Sequence, residues 1–93
     1  MKYICNFSWE PNTQQQTEAI RRFKASGGQT PKGAKLLGRW IRADFMGGVV
    51  LIESDDAKAL TEFALMWSDV MTLQIVPVVE DAELVEVLAW AGK

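Results

Sequence analysis

Val49-Val50-Leu51-Ile52 is an unbroken run of β-branched and aliphatic side chains, and it decides the fold. A strand that is apolar on both sides suits a central position, covered on both faces of its sheet. Pro77 lies in a later run, residues 71–79, and a proline cannot donate a hydrogen bond to a neighbouring strand, so we predict a sheet edge there. Both signals agree with one topology, in which the first and third strands are central and the second and fourth are edges.

The start of the chain predicts a strand and then a helix. Residues 2–9 alternate between two faces. One face carries Tyr3, Cys5, Phe7 and Trp9, and the other carries Ile4, Asn6 and Ser8. Residues 14–25 predict the first helix, capped by Asn12 or Thr13 and closed by a left-handed turn at residues 26–28.

The remaining elements follow at similar spacing. Residues 35–43 predict the second strand, with Leu37 and Ile41 on one face and Leu36 and Trp40 on the other, and a glycine-rich hairpin joins it to residues 49–52. Ser54 or Asp55 caps the second helix. The inward side of that helix is predicted to carry Ala57, Leu60, Phe63, Ala64 and Trp67. A last helix covers residues 81–91, and its inward side is predicted to carry Leu84, Val87, Leu88 and Ala91.

The predicted order is β-α-β-β-α-β followed by an extra helix. Two βαβ units joined by a hairpin define the ferredoxin-like sheet. We therefore expect an α+β protein, a ferredoxin-like βαββαβ sandwich with an additional C-terminal helix. The sequence has 93 residues, which is the size of one domain, and we expect residues 1–93 to form it.

The residue inventory excludes several kinds of chemistry. The sequence has no histidine and one cysteine, which excludes a Ser-His-Asp triad, a Cys-His pair, histidine-ligated haem and an internal disulfide. No acidic cluster has the spacing of metal ligands, so we expect no metal and no cofactor. The single cysteine favours a reducing compartment, and no signal peptide or membrane-spanning run is evident, so we expect a cytoplasmic protein with no membrane partner.

The charge is unevenly distributed. Residues 1–47 hold eight basic and three acidic residues, whereas residues 48–93 hold two basic and nine acidic residues. An anion site in the first half, a basic face for nucleic acid and pairing between the halves would each account for this. The net charge of −2 opposes the nucleic-acid reading, and residues 48–53 lack the stacking aromatics of an RNA-recognition motif. We expect no nucleic-acid partner.

Four motifs of the chain resemble those of a group of short stand-alone domains of unknown function. The motifs are Trp40-Ile41-Arg42-Ala43-Asp44, Glu53-Ser54-Asp55-Asp56, Trp67-Ser68-Asp69 and Val76-Pro77-Val78. The chain thereby resembles the dimeric α/β-barrel superfamily, whose ferredoxin-like sheets pair face to face, and the resemblance implies a homodimer. Better-known members include cofactor-independent monooxygenases, haem-degrading enzymes and small isomerases. Asn6 and Trp67 match two positions of the haem-degrading members, but the histidine ligand of those enzymes has no counterpart here.

Eight residues are candidates for a ligand site: Asn6, Ser8, Trp9, Arg39, Trp40, Arg42, Glu53 and Trp67. The Asn6 amide can orient a substrate oxygen if its sheet face lines a cavity. The four tryptophans of the sequence can wall an apolar pocket, or they can pack in the core and at an interface. Arg39 and Arg42 are expected on opposite faces of an edge strand, where one can pair with Glu53 or a dimer mate and the other can bind an anion.

Two main functions remain open at this stage. The first is binding of a small apolar, aromatic or anionic molecule in a sheet-lined cavity, with a cofactor-independent monooxygenase-like enzyme as a variant. The second is a non-enzymatic homodimeric interaction or regulatory module. A cavity of a few hundred Å³ reached by Asn6 and Trp40 favours the first. Two helices cover one sheet face only, and residues 49–52 are apolar on both sides, so we expect a homodimer that closes sheet on sheet.

Overall fold

The computed structural model describes residues 1–11 and 13–92. Within these residues, four strands and three helices follow the order predicted from the sequence. Their bounds are β1 Lys2–Ser8, α1 Gln14–Ser26, β2 Lys35–Ile41, β3 Gly47–Glu53, α2 Ala57–Trp67, β4 Thr72–Val78 and α3 Asp81–Trp90. The α+β ferredoxin-like fold with an extra C-terminal helix is confirmed.

The strands form one antiparallel sheet in the order β2-β3-β1-β4. The register places Cys5 of β1 between Val50 of β3 and Ile75 of β4. β1 and β3 are therefore the central strands. Because β4 pairs with β1 alone within the described sheet, the edge position predicted from Pro77 is confirmed.

A bulge in β2 changes which of its side chains share a face. The register pairs Leu36 with Ile52 and Trp40 with Val49, and it shifts between Leu36 and Gly38. A bulge places one extra residue in a strand and reverses the alternation beyond it. The prediction that Leu36 and Trp40 lie on the same face is therefore wrong.

Local signals set the ends of α1. Thr13 caps the helix, and its hydroxyl accepts a hydrogen bond from the amide of Gln16 at 3.3 Å. Asn12, the other predicted cap, lies outside the described residues. Gly27 closes the helix with φ of 72°, a conformation that glycine adopts without steric cost, so the predicted left-handed turn is confirmed.

The cap of α2 is Asp56, whereas we expected Ser54 or Asp55. The Asp56 carboxylate accepts a hydrogen bond from the amide of Lys58 at 3.0 Å. Ser54 is buried, and its hydroxyl donates to the carbonyl oxygen of Gly33 at 2.6 Å and accepts from the amide of Asp56 at 3.0 Å. The prediction was wrong because the serine fixes the loop before the helix instead of the first helical turn.

Helices α1 and α2 cover one face of the sheet. The most deeply buried side chains, Cys5, Val50 and Ile52, come from the central strands and point toward these helices. The helices contribute the other large part of the core, which consists of Ala19, Ala59, Leu60, Phe63 and Trp67. Ala57 of α2, expected inward, is exposed.

The opposite face of the sheet, here called the open face, carries the alternate side chains of the same strands. Ile4 lies there between Leu51 and Val76, and Val49 lies beside Trp40. Trp40 is 57% exposed, and the other four side chains are half-buried. These five residues form an apolar patch.

Helix α3 does not pack as predicted. All ten of its residues, 81–90, are exposed, and so is Ala91. The expectation that Leu84, Val87, Leu88 and Ala91 point inward is therefore wrong for the single chain. The physical reason is that the apolar residues of α3, which include Val85 and Trp90, surround the helix instead of forming one stripe.

An ion pair joins α1 to the turn that follows α2. Arg22 of α1 donates from Nη1 to Asp69 Oδ1 at 2.9 Å and from Nη2 to Asp69 Oδ2 at 2.6 Å. Nη1 also donates to the carbonyl oxygen of Met66 at 3.0 Å. Two parallel hydrogen bonds are the favourable geometry for arginine with a carboxylate. The hydrogen bonds from Arg22, together with its charge, lower the pKa of Asp69.

We expect Asp69→Asn to lower the melting temperature by a few degrees at neutral pH, because the ion pair between α1 and the turn after α2 is lost. A carboxyl group with a lowered folded-state pKa contributes stability above its unfolded-state pKa and loses that contribution as the pH falls through the folded-state pKa. The difference between wild type and variant should therefore begin to shrink as the pH falls below the ordinary aspartate pKa of about 3.9, and it should vanish below the lowered folded-state pKa of Asp69. Thermal unfolding followed by circular dichroism measures this difference in melting temperature. Glu62→Gln, on the exposed side of α2, is the control. A difference that is independent of pH would contradict this account.

Candidate functional site

A cavity of about 350 Å³ lies between the sheet and helices α1 and α2. All four strands reach it, and they contribute Phe7, Arg39, Ile41, Val50 and Leu73. The helices contribute Ala19, Ile20, Phe23, Lys24, Phe63 and Trp67. Its lining is almost wholly apolar. The volume lies at the small end of the range of about 300–1,000 Å³ that is typical of small-molecule sites.

Six aromatic side chains line this cavity: Phe7, Trp9, Phe23, Phe45, Phe63 and Trp67. The ring centroids of Phe7 and Trp9 are 5.7 Å apart, and those of Trp9 and Phe45 are 5.4 Å apart in an edge-to-face arrangement. The indole Nε1 of Trp9 donates to the carbonyl oxygen of Phe45 at 3.0 Å, which satisfies the one polar atom of that side chain. A lining of this kind suits a flat apolar molecule.

The turn between β2 and β3 holds Phe45 in position. Phe45 has a φ of 61°, the one positive value outside glycine among the described residues. A left-handed conformation costs a bulky residue about 1–2 kcal/mol, so surrounding contacts have to stabilise it. The amide of Phe45 donates to the carbonyl oxygen of Arg42 at 2.9 Å, and its own carbonyl accepts from Trp9. These two bonds direct the Phe45 ring to the cavity.

Arg39 stands at the mouth of the cavity. Its guanidinium lies over the Phe23 ring, 5.3 Å from the centroid, and donates to the carbonyl oxygens of Gly27, at 3.2 Å, and Gly28. A Cβ atom at Gly28 would lie 2.8 and 2.9 Å from the two Nη atoms, so the close approach depends on glycine. Burial lowers the pKa of Arg39 from its ordinary value, but the group remains charged at neutral pH.

The charge of Arg39 is not balanced by an acid. Arg21, Arg22 and Arg42 each form an ion pair with a carboxylate. In the described part of the chain, no carboxylate lies within ion-pair distance of Arg39. Lys24 is the other charged residue among the described lining residues, so the cavity mouth is electropositive.

Three of the eight candidate residues line this cavity, namely Trp9, Arg39 and Trp67. They reach it from different elements: the end of β1, the edge strand β2 and the end of α2. Trp67 also belongs to the buried core. The sequence allowed tryptophans to form a pocket wall or to pack in the core. Trp9 and Trp67 line the pocket, and Trp67 does both.

The other five candidates lie elsewhere. Asn6, Ser8 and Trp40 are on the open face, so the cavity is not reached by Asn6 and Trp40. Arg42 pairs with Asp44 in the turn after β2, Nη2 to Oδ2 at 2.5 Å. Glu53 lies at the end of β3, opposite residues 2 and 35. The structure does not bring these five to one site with the other three.

Several cavity residues were not singled out from the sequence. Phe63 is predicted only as inward core of the second helix, whereas Phe23 and Phe45 lie within the predicted first helix and the predicted hairpin. The sequence does hold one signal for Phe45, which is its position beside the glycines of a tight hairpin. A large aromatic residue at such a place has to pack against other side chains. The contact of Arg39 with Gly28 had no local signal, because it joins residues from separate elements.

The remaining reactive groups do not form a second centre. Cys5 is fully buried, and burial raises the pKa of its thiol to about 11, so it is protonated at neutral pH and is not a nucleophile. Within residues 1–11 and 13–92, no group of three or more cysteine or acidic side chains is arranged to hold a metal ion. None of the described helices is long and apolar enough to cross a membrane.

Fold and cavity define a small α+β domain with an apolar pocket between sheet and helices. Residues 1–92 match a family model described as "Domain of unknown function (DUF3303)", and the chain belongs to this family. The expected kinship with a short domain of unknown function is confirmed. No curated protein matches the sequence.

We expect Cys5 to resist alkylation in the folded protein. Reaction with iodoacetamide at pH 8 should be at least about 100-fold slower in native buffer than in urea, because burial blocks access and disfavours the thiolate. Between the ordinary cysteine pKa of about 8.5 and the folded-state pKa of about 11, the unfolded chain binds fewer protons at this thiol, so the free energy of unfolding falls as the pH rises through this range. Mass spectrometry of the alkylated fraction measures the rate. Equal rates in the two buffers would show that the helices do not cover this face of β1.

Proposed function

We propose that this domain binds a small apolar or aromatic molecule in the cavity between its sheet and helices α1 and α2. The observation that carries the proposal is an apolar space of about 350 Å³ lined by six aromatic side chains. A ligand that fills this space takes apolar surface out of water, so its binding stabilises the fold.

Binding is better supported than catalysis. Lys24 and Arg39 are the ionisable side chains of the described lining, and both are cations at the mouth, so the apolar interior offers no general base of its own. A cofactor-independent monooxygenase would use an amide to orient its substrate, and Asn6 lies on the opposite sheet face. We therefore propose that the domain is a binding protein, and we do not propose a monooxygenase reaction in this cavity.

We expect the neutral dye N-phenyl-1-naphthylamine to gain fluorescence with the wild type and to bind at least about 10-fold more weakly to Ala19→Leu. Ala19 is 5% exposed and lines the cavity, so the larger side chain takes up ligand space. The same substitution fills a void, and the melting temperature should stay level or rise.

The matched control is Thr61→Leu, which adds apolar bulk on the exposed side of α2. It should leave dye affinity unchanged. Equal dye affinity in wild type and Ala19→Leu would show that the dye binds an exposed apolar surface, and the proposed cavity function would be wrong.

We also propose that two copies of the chain pair through their open faces, as the dimeric α/β-barrel resemblance implies. The support is the apolar patch of the open face, formed by Ile4, Trp40, Val49, Leu51 and Val76. Monomeric proteins rarely leave large contiguous apolar patches in water. A two-fold partner presents the same patch, and the exposed apolar side chains of α3 supply further surface for it. A non-enzymatic homodimeric module is the second candidate function, and it rests on this patch.

We expect the wild type to be a dimer at micromolar concentration and Leu51→Asp to weaken dimerisation at least about 100-fold. A carboxylate buried without a partner costs several kcal/mol, and Leu51 lies in the middle of the patch. Size-exclusion chromatography with light scattering gives the mass of each protein. Thr61→Asp, on the exposed side of α2, is the control and should remain dimeric. A monomeric wild type at these concentrations would overturn the dimer proposal.

A further inference from the structure

We infer that the ligand of this cavity is an amphipathic organic anion, whose carboxylate binds Arg39 at the cavity mouth while its apolar part lies among the aromatic side chains. This inference rests on the proposed function and adds the chemical class and the orientation of the ligand.

Arg39 lies on the face of β2 that points toward the helices. It pairs in register with Val50, which is 2% exposed, and its own side chain is half-buried. Taking a charge partly out of water is unfavourable unless an opposite charge or several hydrogen bonds compensate. The contacts present are the Phe23 ring and two carbonyl oxygens, which solvate the cation without neutralising it.

The guanidinium retains donors for a ligand. Arginine has five N–H donors in a planar fork, and the bonds to Gly27 and Gly28 use one from each Nη atom. The remaining donors match the two oxygens of a carboxylate. The other arginines of the described chain already have a protein carboxylate in this role.

The rest of the lining selects the same kind of molecule. No acidic side chain is found among the described lining residues, so a cationic ligand would meet repulsion from Arg39 and Lys24. A fully neutral ligand would leave the charge of Arg39 uncompensated in the occupied, water-excluding cavity. One anionic head at the mouth and an apolar body inside satisfy both parts of the site.

The test compares 2-naphthoate with 2-naphthamide, which have the same shape and differ in charge. Isothermal titration calorimetry at neutral pH should give at least about 10-fold tighter binding of the acid to the wild type, as expected for a charge-assisted hydrogen bond. Arg39→Gln should remove that preference without weakening the binding of the amide. Arg21→Gln, an exposed arginine of α1, is the control and should retain the preference.

A purely structural role of Arg39, holding the loop at Gly27 and Gly28, would lower both affinities together and would overturn the inference. If Arg39→Gln does not fold, Arg39→Lys and the wild type decide instead: the preference for the acid should persist with a lysine and fall as salt is raised. Equal wild-type affinities for the acid and the amide would overturn the inference and leave the proposed binding function intact. Binding of neither compound would overturn both.

Discussion

The alternation of side chains along β1 and β3 is the constraint on which the rest of the structure depends. Every second residue of these strands points toward α1 and α2, and the residues between them point to the other face. Both sets are largely apolar, as Val50 and Ile52 on one side and Val49 and Leu51 on the other illustrate. Two helices can cover one face only. The chain therefore has a covered face that carries the cavity and an open face that its own helices leave uncovered.

The four tryptophans of the sequence divide between the cavity and the exposed surface. Trp9 and Trp67 line the cavity. Trp40 and Trp90 are 57% and 88% exposed, on the open face and on α3. The proposed ligand binding and the proposed dimerisation thus depend on different residues, so a substitution can affect one and spare the other. Arg39 belongs to the cavity although it lies on the edge strand next to Trp40, because adjacent strand residues point to opposite faces.

The order and position of the strands could be predicted because their signals are local. The alternation in residues 2–9, the apolar run at 49–52 and Pro77 each constrain one strand by itself. The cavity could not be predicted in the same way, since its volume depends on how far two helices stand from the sheet. The bulge between Leu36 and Gly38 also reverses the faces along β2, so sequence spacing alone does not tell which of its side chains turn toward the helices. The exposure of α3 could not be predicted for a third reason, because its apolar residues lie on several sides of the helix and do not form one stripe that faces the sheet.

The indole N–H signals of the four tryptophans offer the most direct test of the central claim, that a ligand binds on the helix-covered side of the sheet. A two-dimensional ¹H–¹⁵N spectrum, assigned with one Trp→Phe variant for each position, can be followed during titration with 2-naphthoate. The account predicts that the signals of Trp9 and Trp67 shift in a saturable way, while those of Trp40 and Trp90 stay in place. Saturable shifts of Trp40 or Trp90, with Trp9 and Trp67 unchanged, would contradict it.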